Sequence, residues 1–462
     1  MPRFVPVDHD TPMLLPPDLR AWVPDDHIVH FIMDAVDALK LDAAKVNTHG
    51  TGSAQYPPSM MLGLLIYSYA TGTFSSRKIE GLTHDSVAVR YLCAQHHPDH
   101  DSICKFRREN GKLLESSFHQ VLELAARTKV LKVGNVTLAI DGTKILANAS
   151  KHSAVSHGHA TEQMQLLSAE VAQLLAKAEA ADSAPLQDGL SIPMEVQRRQ
   201  ERIAKLKAAV VEIERRAAER TEEEKTEHEA KLKERAAKEA ATGRKSRGRS
   251  PKPPEPGARE QDQLNLTDPE SRIMPMGGHF EQSYNAQAAV DIESRLIVAQ
   301  HVTQATNDKQ QLEPTLAVLS PVVEHVQHVL VDSGYYSQTA ITAVESKSEG
   351  SLARVQVLAA TKRQRHGRSV AQLEQRADPA APPEGATIKE KMDHRLDTKA
   401  GKELYAQRKQ TVEPVFGIIK AAMGFRMFSL RGKAKAALEW TLVTLSSNLK
   451  RLFHAGARLQ NA

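Results

Sequence analysis

Three acidic residues in this 462-residue chain stand where a carboxylate could do chemistry. Asp141 closes a short apolar, β-branched run, Thr137-Leu-Ala-Ile-Asp-Gly-Thr143, and Asp332 closes a second, His328-Val-Leu-Val-Asp-Ser-Gly334. In each, a glycine lets the backbone turn away just past the acid. Glu413 lies in Thr411-Val-Glu-Pro-Val-Phe-Gly-Ile-Ile-Lys420, whose apolar spacing is helical. Carboxylates delivered by two strands and a helix suit phosphodiester cleavage, in which two divalent cations roughly 3.5 to 4 Å apart activate a nucleophile and relieve charge on the phosphate and leaving oxygens. Hard cations such as Mg2+ prefer carboxylate oxygen, and no thiolate or imidazole cage accompanies these acids. On this reading Asp141 bridges both metals, Asp332 completes one sphere and Glu413 the other, and like-charge repulsion leaves the site loose without cations. Taken singly, Asp141 or Asp332 reads better as a turn or capping residue.

Strand Asp, strand Asp and helix Glu, in that order, resembles the DDE-type insertion-sequence transposases of bacteria, and the likeness covers most of the chain. Further matching residues are Thr267-Asp-Pro-Glu-Ser-Arg272, Tyr284-Asn-Ala-Gln287 and Asn307-Asp308. The block Tyr405-Ala-Gln-Arg408, Glu413 and Lys420 is similar to that group's Tyr-(2)-Arg-(3)-Glu-(6)-Lys signature. Four residues separate Arg408 from Glu413, and Lys409 has the three-residue spacing, so either base fits the signature arginine. The resemblance implies a ribonuclease-H-like catalytic domain using Mg2+ or Mn2+, two ions in all. It also implies cleavage at terminal inverted repeats, strand transfer into target DNA, a homodimer in the DNA complex, and DNA contacts from Tyr405, Arg408 or Lys409, and Lys420. Two other readings are a structure-selective nuclease on the same fold and a non-catalytic DNA-binding protein derived from a transposase. The N-terminal region and the C-terminal signature weigh against the first, and three intact acids against the second.

The elements that must position these acids follow a β-β-β-α-β-α-β-α order, which suits a mixed-sheet α/β domain over residues 131–462. Strand patterns cover Val136–Asp141, Lys144–Ala149, Ser283–Val290, Leu296–Val302, His328–Asp332 and Ala353–Leu358, with helices at Gln310–Val326, Gln338–Glu345 and Leu438–Phe453. Proline suits only the first turn of a helix, so the helix with Pro414 is expected to start near Thr411 as N-cap. Gly417 and Lys420 then share a face with Glu413, and Tyr405 with Arg408 or Lys409 lies on a preceding turn or kinked helix.

Residues 151–265 interrupt the sheet pattern. Met164, Leu167, Val171, Leu174 and Ala178, then Val196, Ile203, Leu206, Val210, Ile213 and Ala217, step at heptad spacing on either side of a Pro- and Gly-punctuated stretch from Asp182 to Pro193. This predicts an inserted antiparallel coiled-coil hairpin whose second helix, running to Ala240, is about 65 Å long at roughly 1.5 Å per residue. Gly243–Ala258 reads as a flexible basic linker, and Gln364–Thr387 as another polar, Pro-rich insertion.

Residues 1–130 follow a Pro-rich entry with helical patterns at Asp25–Leu39, Met60–Tyr69, Ser75–Leu82 and Asp85–Ala94, and one more beginning near Asp101. The last is expected to turn Ile103, Phe106 and Leu113 inward and Lys105, Arg108 and Lys112 outward, which fits a helix-turn-helix DNA reader. An ordinary amphipathic surface helix has the same pattern. The net charge of +5 decides nothing alone, but basic runs at Lys362–Arg368, Arg244–Arg249 and Arg426–Lys435 suit a phosphate backbone as well as they suit solvated loops. Cys93, His96, His97, His100 and Cys104 have spacings a zinc site could use, though polar turns also collect histidines. Two cysteines make no disulfide framework, and no run reaches membrane-span length. A cytoplasmic, nucleoid-associated protein is expected.

Overall fold

A helix apolar on every side must be buried on every side. In the computed structural model, which describes residues 18–47, 54–181, 191–243, 248–361 and 378–459, α2 (Pro58–Ala70) is buried from Met61 to Ala70. Around it run α1 (Ile28–Asp37), α3 (Ser76–Asp85), α4 (Val87–Leu92), α5 (His100–Glu109) and α6 (Gly111–Arg127). Asp99 caps α5 by accepting from the Ser102 N–H, and Asn110 closes it by donating from Nδ2 to the Phe106 carbonyl. Lys105 and Arg108 are therefore on α5 and Lys112 on α6, all three exposed, and the expected three-base face is divided between two helices at Asn110-Gly111. The entry before residue 18 lies outside the described residues.

The chain separates into two compact units, one of residues 147–283 and one of the remainder. The run carrying Asp141 forms one strand, β1 (Val136–Leu146), not the two expected, so Asp141 is mid-strand. Gly142 has ordinary backbone angles and does not break it.

The unit of residues 147–283 is built on two long helices. β2 (Ala154–Ser156) leads into α7 (His157–Ala181), and α8 (Ile192–Thr242) returns beside it. Ion pairs of His157 with Glu214 and Arg199 with Glu170 fix the antiparallel sense. At its 51 residues α8 is about 76 Å long, beyond the length expected, and Gly243 caps it with φ +62°. Residues 182–190 of the expected breaker lie outside the described residues. The helices rest on a cluster of Val155, Ala160, Leu206, Ala209, Ile213 and Leu264, the last from β3 (Gln263–Asn265), which pairs with β2. From Gly248 onward the expected linker lies along α8 instead of standing free: Arg235 donates to the Gly248 and Arg249 carbonyls and His228 approaches that of Pro251. A Pro-rich backbone has carbonyls to spare, and α8 supplies donors. β4 (Arg272–Met276) then turns through Gly277-Gly278, both with positive φ, into β5 (His279–Asp291), a two-residue hairpin that demands glycine.

In the larger unit β5 continues, and β6 (Ile297–Thr303) pairs with it antiparallel after a turn held by the Asp291 carboxylate, which accepts from Ser294 N and Oγ. α9 (Leu312–Ala317) is shorter than the helix expected; Pro321 stops the pattern and Val326 already opens β7 (Val326–Val331). α10 (Gln338–Glu345), β8 (Gln356–Ala359), α11 (Ile388–Asp397), α12 (Lys399–Gly417) and α13 (Lys433–His454) follow. Residues 362–377, with one basic run and most of the second insertion, lie outside the described residues, as do residues 244–247 of another run. The sheet order is β6-β5-β1-β7-β8, with β4 also on β5; β1, β7 and β8 are parallel. Buried on both faces, β1 and β7 read as continuous apolar runs. α13 packs on β6, α2 and α6, so the N-terminal helices and the sheet share a core.

Candidate active site

Register brings the two aspartates together. Ala139 on β1 pairs with Leu330 on β7, and two residues further along each parallel strand stand Asp141 and Asp332. There the strands part: β7 ends, and β1 turns to another neighbour, Leu146 exchanging backbone hydrogen bonds with Arg426 and Phe428. The acids thus stand where the sheet opens. Asp332 folds back to accept from the Gly334 N–H at 2.8 Å, and Asp141 accepts from the Gly142 N–H at the same distance.

Glu413 reaches this opening from α12, in a way the sequence did not anticipate. The helix does not start at Thr411. It runs unbroken from Lys399, capped by Thr398, with Pro414 in its interior and a π-helical turn at Ile418–Ala422 beyond. Thr411 is buried, and its hydroxyl donates to the Gln407 carbonyl instead of capping. Pro414 removes the N–H that would have bonded the Gln410 carbonyl, and the wider π-turn follows where the helix is perturbed. Tyr405, Arg408, Lys409 and Glu413 therefore share one helix. Tyr405 donates its hydroxyl to the Val331 carbonyl at 3.0 Å, tying α12 to the end of β7.

One helix turn decides between the two bases. Arg408 is buried, its side chain 9% exposed, whereas Lys409 is exposed. The Arg408 guanidinium donates from Nη1 to Asp141 Oδ2 at 3.3 Å and from Nη2 to Glu413 Oε1 at 3.5 Å. The acids are not simply loose, as repulsion alone predicts; a cation of the chain lies between two of them. Burial pushes the Asp141 carboxyl up to about 6; Arg408 and the Gly142 N–H oppose this, and Asp332 and Asp308 add to it. Among the described residues no three His, Cys, Asp or Glu side chains are gathered closely enough to hold a metal ion. Between Asp141 and Glu413 stands the Arg408 guanidinium.

Behind Asp141 lies a polar cluster whose members the sequence flagged only as matching residues or left unremarked. Asp308 Oδ1 accepts from Asn285 Nδ2 at 2.6 Å and Gln287 Nε2 at 2.7 Å, and Lys144 Nζ stands 3.6 Å away. The buried Tyr335 hydroxyl donates to Gln287 Oε1. Lys420, whose ammonium is held below its ordinary range by burial and by Arg426 and Lys144, donates to the Lys144 carbonyl at 3.0 Å. Ser283, Asn285 and Gln287 alternate along β5 and are fully buried, and polar residues at period two on a buried strand were the available signal.

The exposed Lys105, Arg108 and Lys112 take no part in the hydrogen bonds around Asp141. The side chains of the Cys-His segment have other surroundings and partners. Cys93 is buried, which pushes its thiol up to about 12; His97 stacks on His84, and His100 bonds Glu80.

Residues 251–449 match the family described as Transposase DDE domain, and residues 17–109 match that described as Transposase domain (DUF772). The first span includes Asp332, Arg408, Glu413 and Lys420; the second includes α1 to α5. No curated protein and no solved structure matches the chain.

Proposed function

The chain belongs to the DDE-type insertion-sequence transposases, and from that premise we propose that Asp141, Asp332 and Glu413 are its catalytic acids, cutting phosphodiester bonds at the element ends and joining them to target DNA. The observation that carries this reading is the meeting of β1, the end of β7 and α12 at Arg408, Asp141 and Glu413, from segments far apart in sequence. The sheet order, with β5 and β6 antiparallel and β1, β7 and β8 parallel, supports a ribonuclease-H-like arrangement.

The residues fit divalent cations in chemistry and in charge. Asp141, Asp332 and Glu413 offer only carboxylate oxygens, the donors Mg2+ and Mn2+ prefer. All three carboxylates act on one guanidinium, that of Arg408, while Lys144 is matched by Asp308, so negative charge is in excess at the three acids. A pair of such ions, when bound, supplies charge relief at the phosphate and at the nucleophile. The chain's own residues do the rest. Arg408 leaves the gap between Asp141 and Glu413 and turns to the DNA end, as does Tyr405. Lys420 offers an ammonium to a phosphate, and the exposed Lys409 contacts the backbone beyond it.

Lys105, Arg108 and Lys112 contact DNA from α5 and α6, and the protein acts as a homodimer at the nucleoid. No helix among the described residues is long and apolar enough to cross a membrane. The test is nicking of a supercoiled plasmid carrying the DNA from both flanks of the gene. Wild type is expected to nick it in Mg2+ and Asp141→Asn is not; an Asn variant as active as wild type overturns the assignment.

A further inference from the structure

Gly142 has almost no room on its Cα. A Cβ there would stand 2.3 Å from Gln287 Nε2, 2.6 Å from Asp308 Oδ1 and 2.8 Å from Asn285 Oδ1. Three polar side chains thus press directly on the peptide that follows Asp141, and the N–H of that peptide holds the Asp141 carboxylate. The three are themselves tied together. Asp308 accepts from both amides, Gln287 Nε2 also reaches Asn285 Oδ1 at 3.1 Å, and Asn285 donates to the Ala305 carbonyl at 3.1 Å. Tyr335 holds the other end of the Gln287 amide, and the Trp440 indole donates to the Gln287 backbone.

We propose that Asn285, Gln287 and Asp308 are positioning residues for Asp141, a clamp on Gly142 that fixes where its carboxylate points. The inference rests on Asp141 being a catalytic acid. Asp308 acts here as a hydrogen-bond acceptor: both amides donate to its Oδ1 at 2.6 and 2.7 Å, closer than its ion pair with the Lys144 ammonium at 3.6 Å. A packed network of this kind needs every member, because a donor left without its acceptor in a buried site costs more than the bond itself contributes.

The experiment compares Asp308→Asn, Asp308→Ala, Asn285→Ala and Asp141→Asn in the full chain. Two readouts are taken: Mn2+ binding to the DNA-free protein by electron paramagnetic resonance, and nicking of the flank-carrying plasmid. Asp308→Ala and Asn285→Ala are expected to lose about 10- to 100-fold in both, the usual cost of removing the support of a ligand. Asp308→Asn, which can still present an oxygen to the two amides, is expected to restore most of that loss. Asp308→Asn as defective as Asp308→Ala would overturn the inference, because the charge and not the acceptor would then matter. Asn285→Ala at wild-type levels would overturn it too, and this variant carries the test if Asp308→Ala does not fold. Wild-type nicking by Asp141→Asn would instead bring down the catalytic assignment beneath it.

Discussion

Arg408 Nη1 stands 3.3 Å from Asp141 Oδ2, joining α12 to the central strand of the sheet through one ion pair with the arginine side chain only 9% exposed. The same guanidinium reaches Glu413, so it bridges the two acids between which the proposed function places a divalent cation. Arg408→Gln is therefore expected to bind Mn2+ about tenfold more tightly than wild type, since ion entry no longer displaces a charge-assisted hydrogen bond of roughly 1.5 kcal/mol. Nicking should fall in the same variant. Metal titration of the DNA-free protein checks this, and an unchanged or weaker affinity contradicts it.

With Asp141 as a metal ligand, as the proposed function has it, metal binding acquires a pH dependence. Its carboxyl is pushed up to about 6, so the folded, metal-free site holds a proton well above the range near 3.9 where an ordinary aspartate loses it. Folding then takes up a proton between those values, and the contribution of Asp141 to stability declines as pH rises through that window. A cation must displace the same proton. Apparent Mg2+ affinity should fall about tenfold per pH unit below 6 and level off above it. The Mg2+-induced rise in melting temperature, followed from about pH 5 to 8, should grow and then saturate; a rise independent of pH counts against it.

Asp332→Asn removes a carboxylate charge and keeps the shape, so it should abolish cleavage while DNA binding stays intact or tightens slightly. Lys105→Ala with Arg108→Ala should weaken DNA binding and reduce its salt slope by about two, one for each phosphate no longer neutralised. Gel-shift titration at several salt concentrations, run beside the nicking assay, separates the two effects. Equal loss of binding by both variants would end the division between a reading surface and a cutting site.

The two long helices are held at their base by Val155, Ala160, Leu206, Ala209, Ile213 and Leu264. Replacing residues 168–198 by a short turn leaves that cluster whole. The shortened protein should lose helical circular dichroism in proportion to the residues removed and still melt cooperatively. Global unfolding would show that the removed turns support more than each other.

Glu439 is fully buried in α13, and each of its oxygens has work: Oε1 accepts from the Tyr69 hydroxyl and stands 3.8 Å from Arg107, while Oε2 accepts from the Ser429 and Leu430 N–H groups. Glu439→Ala leaves Arg107 buried without its charge partner and two backbone donors without an acceptor. A loss of about 3 to 5 kcal/mol in urea unfolding is expected, and a loss under about 1 kcal/mol would refute the account.

The two aspartates were legible because their strands are buried on both faces, which writes each as an apolar run ending on an acid. The heptad steps flanking residues 182–190 likewise announced paired helices, since each helix must show an apolar stripe to the other. Local rules misled where tertiary contacts override them. Pro414 should open a helix, yet α12 packs against β1 and β7 and carries the proline inside. Nothing in the spacing distinguished Arg408 from Lys409; the side of α12 that faces Asp141 decided it. Lys112 was separated from Lys105 and Arg108 by one asparagine that closes a helix. Asn285, Gln287 and Asp308 meet at Gly142 only after β5, the residues following β6 and β1 come together, because a contact across a sheet has no counterpart in sequence distance. The sequence by itself determined, through periodicity and burial, that the apolar runs leading to Asp141 and Asp332 are strands and that two long paired helices interrupt the sheet pattern. The tertiary structure alone decided which base lies between the acids and which side chains press on the peptide after Asp141.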